Sequence, residues 1–196
     1  MGGRVWEKRH GLRIGEVGFI IPAMDAELGL LFTRDEIATA VNRLAAEISR
    51  DYRDKNPLLI AVLKGSFVFL ADLIRRLDFP LEIEFVRLSS YGKGTESSGR
   101  VRMAPGSAPK IRGRHVLVIE DIIDTGLTAA FLLDYLRRRK PASLKLCTLT
   151  DKKARRRVIV NIDYQGLTVP DEFIVGYGID CGERYRHLPD IYYIKQ

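Results

Sequence analysis

The sequence predicts a doubly wound α/β domain built on a mostly parallel sheet flanked by helices. Short, almost wholly apolar runs alternate with segments of helical period, as buried parallel strands alternate with crossover helices. The clearest runs are Leu58–Leu63, Val116–Ile119 and Leu144–Leu149. Each leads into residues fit for chemistry: Lys64-Gly65-Ser66, Glu120-Asp121 and, two positions on, Asp151-Lys152. Open α/β sheets place ligands at the carboxyl ends of their strands. At 196 residues the chain suits one domain with a full core.

The first 32 residues hold short apolar groups around Phe19-Ile20-Ile21 and Leu28–Phe32, separated by Pro22, and read as extended structure. Thr33 with Glu36 forms a capping-box pattern. Ile37, Val41, Leu44, Ala45 and Ile48 then recur at helical spacing, giving an amphipathic helix to about Tyr52. Leu58–Leu63 is a buried strand, and Lys64-Gly65-Ser66 turns the chain into a helix with Phe67, Leu70, Leu73, Ile74 and Leu77 on one side. Such a turn can present backbone N–H groups to an anion. Taken alone, an ordinary turn with a surface lysine explains it as well. Ile83–Leu88 is a further strand. The polar Gly/Ser-rich stretch from Ser89 to Pro109 is either a functional lid or a surface hairpin helped by Val101 and Met103.

Val116 to Thr128 is the most informative stretch. Glu120 and Asp121 close a buried strand, and Asp124-Thr125-Gly126-Leu127-Thr128 leads into a helix beginning near Ala129. That loop offers backbone N–H groups and two hydroxyls at a helix N-terminus, where the dipole favours a compact phosphate. Carboxylates beside it can accept hydrogen bonds from sugar hydroxyls or hold Mg²⁺ through its waters. Phosphate, diol and metal together point to a ribose phosphate. The plainer account is a helix capped by Asp124 and Thr125 with two solvated acids, which leaves Glu120, Asp121 and Thr128 unexplained. The helix should turn Phe131, Leu132, Tyr135 and Leu136 inward.

After the strand Leu144–Leu149, a lysine at Lys152 could donate to a carbonyl on a substrate base. Solvated charge is the usual meaning of basic runs, and Arg155, Arg156 and Arg157 are read that way. Phe173 to Asp180 reads as an apolar strand ending in an acid, with a last strand at Ile191–Ile194.

Hydrophobic content of 46% and charged content of 29% suit a soluble globular protein. Cys147 and Cys181 have no metal-type or redox-type spacing. No apolar stretch approaches a membrane span, and the opening residues lack a signal-peptide core, so cytoplasmic residence is expected. The net charge of +7 would suit nucleic acid, but equally a polyanionic small substrate.

Glu120 to Thr128 resembles, position by position, the ribose-phosphate signature of the type I phosphoribosyltransferases. Leu63-Lys64-Gly65-Ser66 resembles that family's pyrophosphate loop, in which the peptide bond before the lysine can be cis. Ser90-Tyr91-Gly92 resembles the start of the mobile loop of its purine-specific members. Lys152 matches the lysine that reads the exocyclic oxygen of a 6-oxopurine, although many relatives have proline where this chain has Lys153. Phe173 to Pro189 resembles the C-terminal signature of the hypoxanthine-guanine phosphoribosyltransferases, with Cys181 replacing a common aromatic.

The resemblance covers roughly residues 30 to 196 and implies a fold with a core of about 33–170 and a small hood from about 1–32 and 171–196. It implies Mg²⁺-dependent transfer of a phosphoribosyl group from phosphoribosyl pyrophosphate to hypoxanthine or guanine. Asp124 would be the catalytic acid or base. Glu120, Asp121, Asp124, Thr125, Gly126, Leu127 and Thr128 would hold the ribose phosphate, and Lys64, Gly65 and Arg186 the pyrophosphate. Lys152, Phe173, Ile174 and Asp180 would serve the purine end, with Ser90 and Tyr91 in the mobile loop. Glu120, Asp121 and Asp180 would be the metal-associated carboxylates, in a homodimer or homotetramer. Two rivals remain on the same fold: a xanthine-preferring enzyme, and a nucleotide-sensing regulator using its basic surface on RNA. The second leaves Lys152 and Phe173 without a task, and no association with nucleic acid or membrane is expected.

Overall fold

The structure is a computed structural model and describes residues 13–14, 20–21, 27–91, 100–103 and 109–195. Two short strands, β1 (Arg13–Ile14) and β2 (Ile20–Ile21), pair antiparallel. Strand β3 (Leu28–Phe32) leads into helix α1 (Arg34–Tyr52). The capping box is formed: Glu36 N–H donates to Thr33 Oγ1 at 3.3 Å, and Thr33 N–H donates to Glu36 Oε2 at 2.8 Å. Ile37, Val41, Leu44, Ala45 and Ile48 are buried on the predicted face. Each large aliphatic side chain removed from water in this way stabilises the fold by about 1.5–3 kcal/mol.

The main sheet has six strands: β4 (Leu58–Leu63), β5 (Glu82–Tyr91), β6 (Arg100–Met103), β7 (His115–Ile123), β8 (Ser143–Asp151) and β9 (Tyr164–Thr168). Their spatial order is β6-β5-β4-β7-β8-β9. Five run parallel, and β6 returns antiparallel on β5. Helices α1 and α2 (Phe67–Ile74) pack on the face carrying Leu59, Ala61, Leu117, Ile119, Cys147 and Leu149. Helix α3 (Leu127–Arg137) packs on the other, against Leu58, Ile60, Val116, Val118 and Leu146. Alternate residues of each central strand thus enter opposite cores, which is why these runs are continuously apolar. This is the expected doubly wound arrangement.

The chain ends meet in a small antiparallel sheet, in which β11 (Ile191–Ile194) lies between β10 (Ile174–Val175) and β3. Its strands come from the two segments in which a hood was expected. Asp190 Oδ1 accepts a hydrogen bond from Arg34 N–H at 2.6 Å and ties the last turn before β11 to the start of α1. No helix among the described residues is long and apolar enough to cross a membrane.

Several local expectations are corrected. Strand β7 does not stop at Glu120: Ile122 and Ile123 continue the ladder against Thr150 and Asp151. Backbone pairing is indifferent to the two carboxylates, which instead leave on opposite faces of the strand. Helix α3 begins at Leu127, not Ala129. Its buried stripe is Ala129, Leu132, Leu133 and Leu136, while Phe131 and Tyr135 stack beside it with ring centroids 6.1 Å apart. At α2, the N-cap Ser66 and the helical Phe69, Leu70 and Leu73 face inward and Phe67 is exposed. The helix starts one residue after Ser66, and that origin sets which positions fall at the i, i+3, i+4 and i+7 stations.

The stretch from Phe173 is not one strand to Asp180. Gly176, Tyr177 and Gly178 all have positive φ, and a tight turn pairs Gly176 with Ile179 after only two strand residues. Strand β9 fills a region for which the sequence suggested no element. The polar stretch after Leu88 begins as strand: Ser90 pairs with Val101 and Tyr91 with Arg100. The remainder of the expected mobile loop, at 92–99 and 104–108, lies outside the described residues.

Candidate active site

The site is assembled from four loops at the carboxyl ends of β4, β7 and β8 and after β10. The β7 loop sets its centre. Residues 120–126 with Thr128 and Ala129 line a cleft of about 230 Å³. Gly126 is the N-cap of α3, with φ of 82° and no side chain capping the helix. Leu127 N–H meets Thr125 Oγ1 only at 3.4 Å. Thr125 thus meets the first N–H of the helix only at long range, and among the described residues no side chain caps the N–H groups that follow, which leaves them for an anion. Asp124 adds a buried Oδ1 that has no hydrogen-bond partner among the described residues. A buried carboxylate oxygen left unpaired is costly unless a ligand satisfies it.

Arg156 braces this loop from behind. Its guanidinium pairs with the buried Asp151 and reaches Ile123 C=O at 3.5 Å, and its Cδ lies 2.9 Å from where a Cβ on Gly126 would sit. Arg157 N–H donates to Thr125 C=O at 2.9 Å. The reading of Arg156 as solvated charge is therefore wrong. Arg155 does meet that expectation in part, as a half-exposed pair with Asp171 at 3.3 Å.

Alternation along β7 places Asp121 on the α1–α2 side and Glu120 on the α3 side. Burial raises both carboxyls: Glu120 well above its usual range, helped by the charge on Asp121, and Asp121 to about 6. For Asp121, Arg186 opposes that rise and Asp180 adds to it. These acids lack positive partners sufficient to keep them comfortably ionised, which fits a site completed by a cation and hydroxyl donors. Among the described residues, no three acids, histidines or cysteines converge as a ready-made metal cage. Glu120, Asp121 and Asp180 would therefore hold Mg²⁺ only with water and ligand oxygens completing its shell, which is how Mg²⁺ is usually bound.

The loop after β4 is drawn against these acids. The Leu63–Lys64 peptide bond is cis. A Cβ on Gly65 would overlap the Asp121 carboxylate, and one on Gly178 would overlap the Gly65 carbonyl. Glycine at 65 and 178 is thus demanded by close approach of three separate loops. Ser66 is buried and donates to Val62 C=O at 2.7 Å, fixing the turn into α2. Lys64 Nζ sits 2.8 Å from Glu183 Oε1. Arg186 pairs with Asp180 at 2.8 Å and donates to Gly178 C=O at 2.8 Å. Asp180 Oδ2 also accepts from Glu183 N–H at 2.8 Å.

At the other end, Lys152 is buried and forms no ion pair among the described residues. Desolvation pulls its pKa down, opposed chiefly by the nearby charge of Asp124. Its backbone N–H donates to Ile123 C=O at 3.0 Å, which joins the β7 and β8 loops. Asp171 and Glu172 lie close enough to influence Lys152, and the next residue, Phe173, leaves its ring substantially exposed at 40%. Ile174 is buried in β10. A planar ligand with a carbonyl could find both a ring face and a donor here. The structure thus brings the predicted residues of the loops after β4, β7, β8 and β10 to one end of the sheet. The backbone of Ser90 and Tyr91 lies in β5.

Residues 31–181 match the family model described as the phosphoribosyl transferase domain. The chain belongs to the phosphoribosyltransferase family. It is 47% identical over 176 residues to a hypoxanthine-guanine-xanthine phosphoribosyltransferase of Tritrichomonas foetus, covering 89% of this chain and 96% of that one. It is 46% identical over 166 residues to a bifunctional TilS/HprT protein of Listeria innocua, covering 85% of this chain but spanning only 26% of that protein. Among solved structures, a hypoxanthine-guanine phosphoribosyltransferase from Bacillus anthracis superposes with a TM-score of 0.81 at 46% identity, covering 87% of this chain and 100% of that one. The phosphoribosyltransferase resemblance read from these motifs is borne out by whole-domain similarity.

Two parts of the site escaped the sequence. Nothing within Arg155 to Arg157 marks Arg156 as the one arginine that turns inward to pair with a buried acid. Glu183 follows Gly182, but nothing local assigns its carboxylate a task, and only the closure of the β4 and β10 loops gives it partners.

Proposed function

We propose that this chain transfers a 5-phosphoribosyl group from phosphoribosyl pyrophosphate to N9 of hypoxanthine or guanine, releasing pyrophosphate, in purine salvage. The observation that carries this reading is the uncapped N-terminus of α3 at Thr125 to Thr128, flanked by the raised acids Glu120 and Asp121. The α3 N–H groups, Thr125 and Thr128 would anchor the 5′-phosphate, and Glu120 and Asp121 would hold the ribose diol. Glu120, Asp121 and Asp180 would hold Mg²⁺ with substrate oxygens, and the bound ion would neutralise charge on the departing pyrophosphate. Lys64 and Arg186 would receive that group, with the glycine at 65 permitting its close approach. Asp124, whose Oδ1 awaits a donor, would exchange a proton with N7 of the purine, as base or acid according to direction. Lys152 would donate to the 6-oxo group and the exposed Phe173 ring would stack on the base.

The segment beginning at Ser90 and Tyr91 would close over the reacting centre and exclude water from an electron-poor ribosyl transition state. A homodimer or homotetramer belongs to the same proposal, supported by the exposed apolar residues Phe67, Ile83 and Phe85. So does cytoplasmic residence, since a highly charged sugar pyrophosphate stays in the compartment that makes it. Xanthine is a second candidate base because the Tritrichomonas relative carries it in its name. The RNA-binding regulator is not favoured, because it gives no role to a buried Lys152 facing Asp124.

Product analysis tests the reaction. Incubated with phosphoribosyl pyrophosphate, Mg²⁺ and hypoxanthine, the protein should form nucleotide and pyrophosphate in equal amounts. Release of pyrophosphate without nucleotide would contradict transfer to the base.

A further inference from the structure

We propose that Glu183 is a built-in anion that occupies the two pyrophosphate-binding cations in the resting site and must be displaced when pyrophosphate or its ribosyl ester binds. The inference rests on the phosphoribosyl-transfer reading and assigns a role to a residue that lies within the Phe173 to Pro189 signature but had no function ascribed to it. The two oxygens of this one carboxylate bridge two loops. Oε1 lies 2.8 Å from Lys64 Nζ on the loop after β4, and Oε2 lies 3.3 Å from Arg186 on the loop after β10. A bridging carboxylate spanning two cations resembles the way a phosphate oxygen pair would be received there.

The position is held by backbone and not by burial. Glu183 N–H donates to Asp180 Oδ2 at 2.8 Å, and both Gly182 and Glu183 take positive φ, at 58° and 65°. The side chain itself is 62% exposed and that of Lys64 45% exposed, so water and incoming anions reach the pair freely. Pairs this exposed exchange at little cost. Glu183 thus keeps Lys64 and Arg186 poised near each other while remaining easy to displace. The same carboxylate competes with pyrophosphate for those cations as the product leaves. Asp180 is no substitute for it, because it contacts Arg186 and not Lys64 among the described residues.

The test compares wild type with Glu183→Gln and Glu183→Ala, using calorimetric binding of magnesium pyrophosphate and steady-state kinetics. Both variants keep the backbone bond to Asp180. Removing the internal competitor should tighten pyrophosphate binding by roughly three- to tenfold, the scale expected for ion pairs in which the carboxylate is exposed. The KM for hypoxanthine should not change, and the gain should shrink in high salt. A merely structural role would weaken binding instead. Unchanged or weaker pyrophosphate affinity in both variants, in an enzyme that still makes nucleotide, overturns the role of Glu183 alone. If wild type and variants neither bind magnesium pyrophosphate nor form nucleotide, this inference and the phosphoribosyl-transfer reading fall together.

Discussion

Asp124 and Lys152 occupy one corner of the site and influence each other, yet each has a polar group that the protein leaves available. That arrangement suits a ligand that receives a hydrogen bond from one and gives one to the other. Asp124→Asn should lower kcat by about a hundredfold or more, the scale of lost proton transfer, while the KM for phosphoribosyl pyrophosphate moves little. Equal losses in both parameters would contradict its proposed role. Lys152→Ala should weaken hypoxanthine binding and narrow the preference over adenine, measured as the ratio of kcat/KM values; an unchanged ratio would remove Lys152 from base selection. Asp121 carries a pH signature. Its folded pKa of about 6 lies above the ordinary 3.8, so its contribution to stability is full below about 4 and is lost as pH rises through 6. Thermal melts of the ligand-free protein should therefore show Asp121→Asn gaining on wild type across that interval. A constant difference between the two would contradict the burial of that charge.

Among the elements, the β7–α3 connection does the most to shape the site, and it depends on the segment after β8. Arg156→Ala would leave Asp151 buried and unpaired and remove the stem beneath Gly126. Breaking such a pair costs about 3 kcal/mol or more, so denaturation should show a lower Tm and kinetics a higher KM for phosphoribosyl pyrophosphate. A variant as stable as wild type would show the pair to be dispensable. The main elements were legible because their apolar periods differ: continuous in β4, β7 and β8, and helical in α1. Their ends were less so. Glu120 and Asp121 looked like a strand terminus because side-chain polarity was the available signal, whereas pairing with Thr150 and Asp151 decides where β7 stops. Phe67 and Phe69 are equally apolar, and only the starting residue of α2 assigns one to solvent and the other to the core. Likewise, the run from Phe173 reads as one strand until Gly176 and Gly178 adopt positive φ and fold it back towards Gly65. The residues of the site were legible from motif order, but their partners Arg156 and Glu183 were not, because both acquire meaning through contacts between loops distant in sequence.

The whole molecule combines a doubly wound core, a small sheet that pairs β3 with the last strands, and a basic balance of +7. Positive charge of this size favours approach of a polyanionic substrate and makes its capture sensitive to ionic strength. The central claim is the transfer reaction and its preference for 6-oxopurines. Steady-state turnover with phosphoribosyl pyrophosphate and Mg²⁺, offering hypoxanthine, guanine, xanthine and adenine separately, tests it most directly. The account predicts turnover of hypoxanthine and guanine, little or none of adenine, and loss of activity when the metal is chelated. Folded protein that is silent with all four bases, or that prefers adenine, would contradict it.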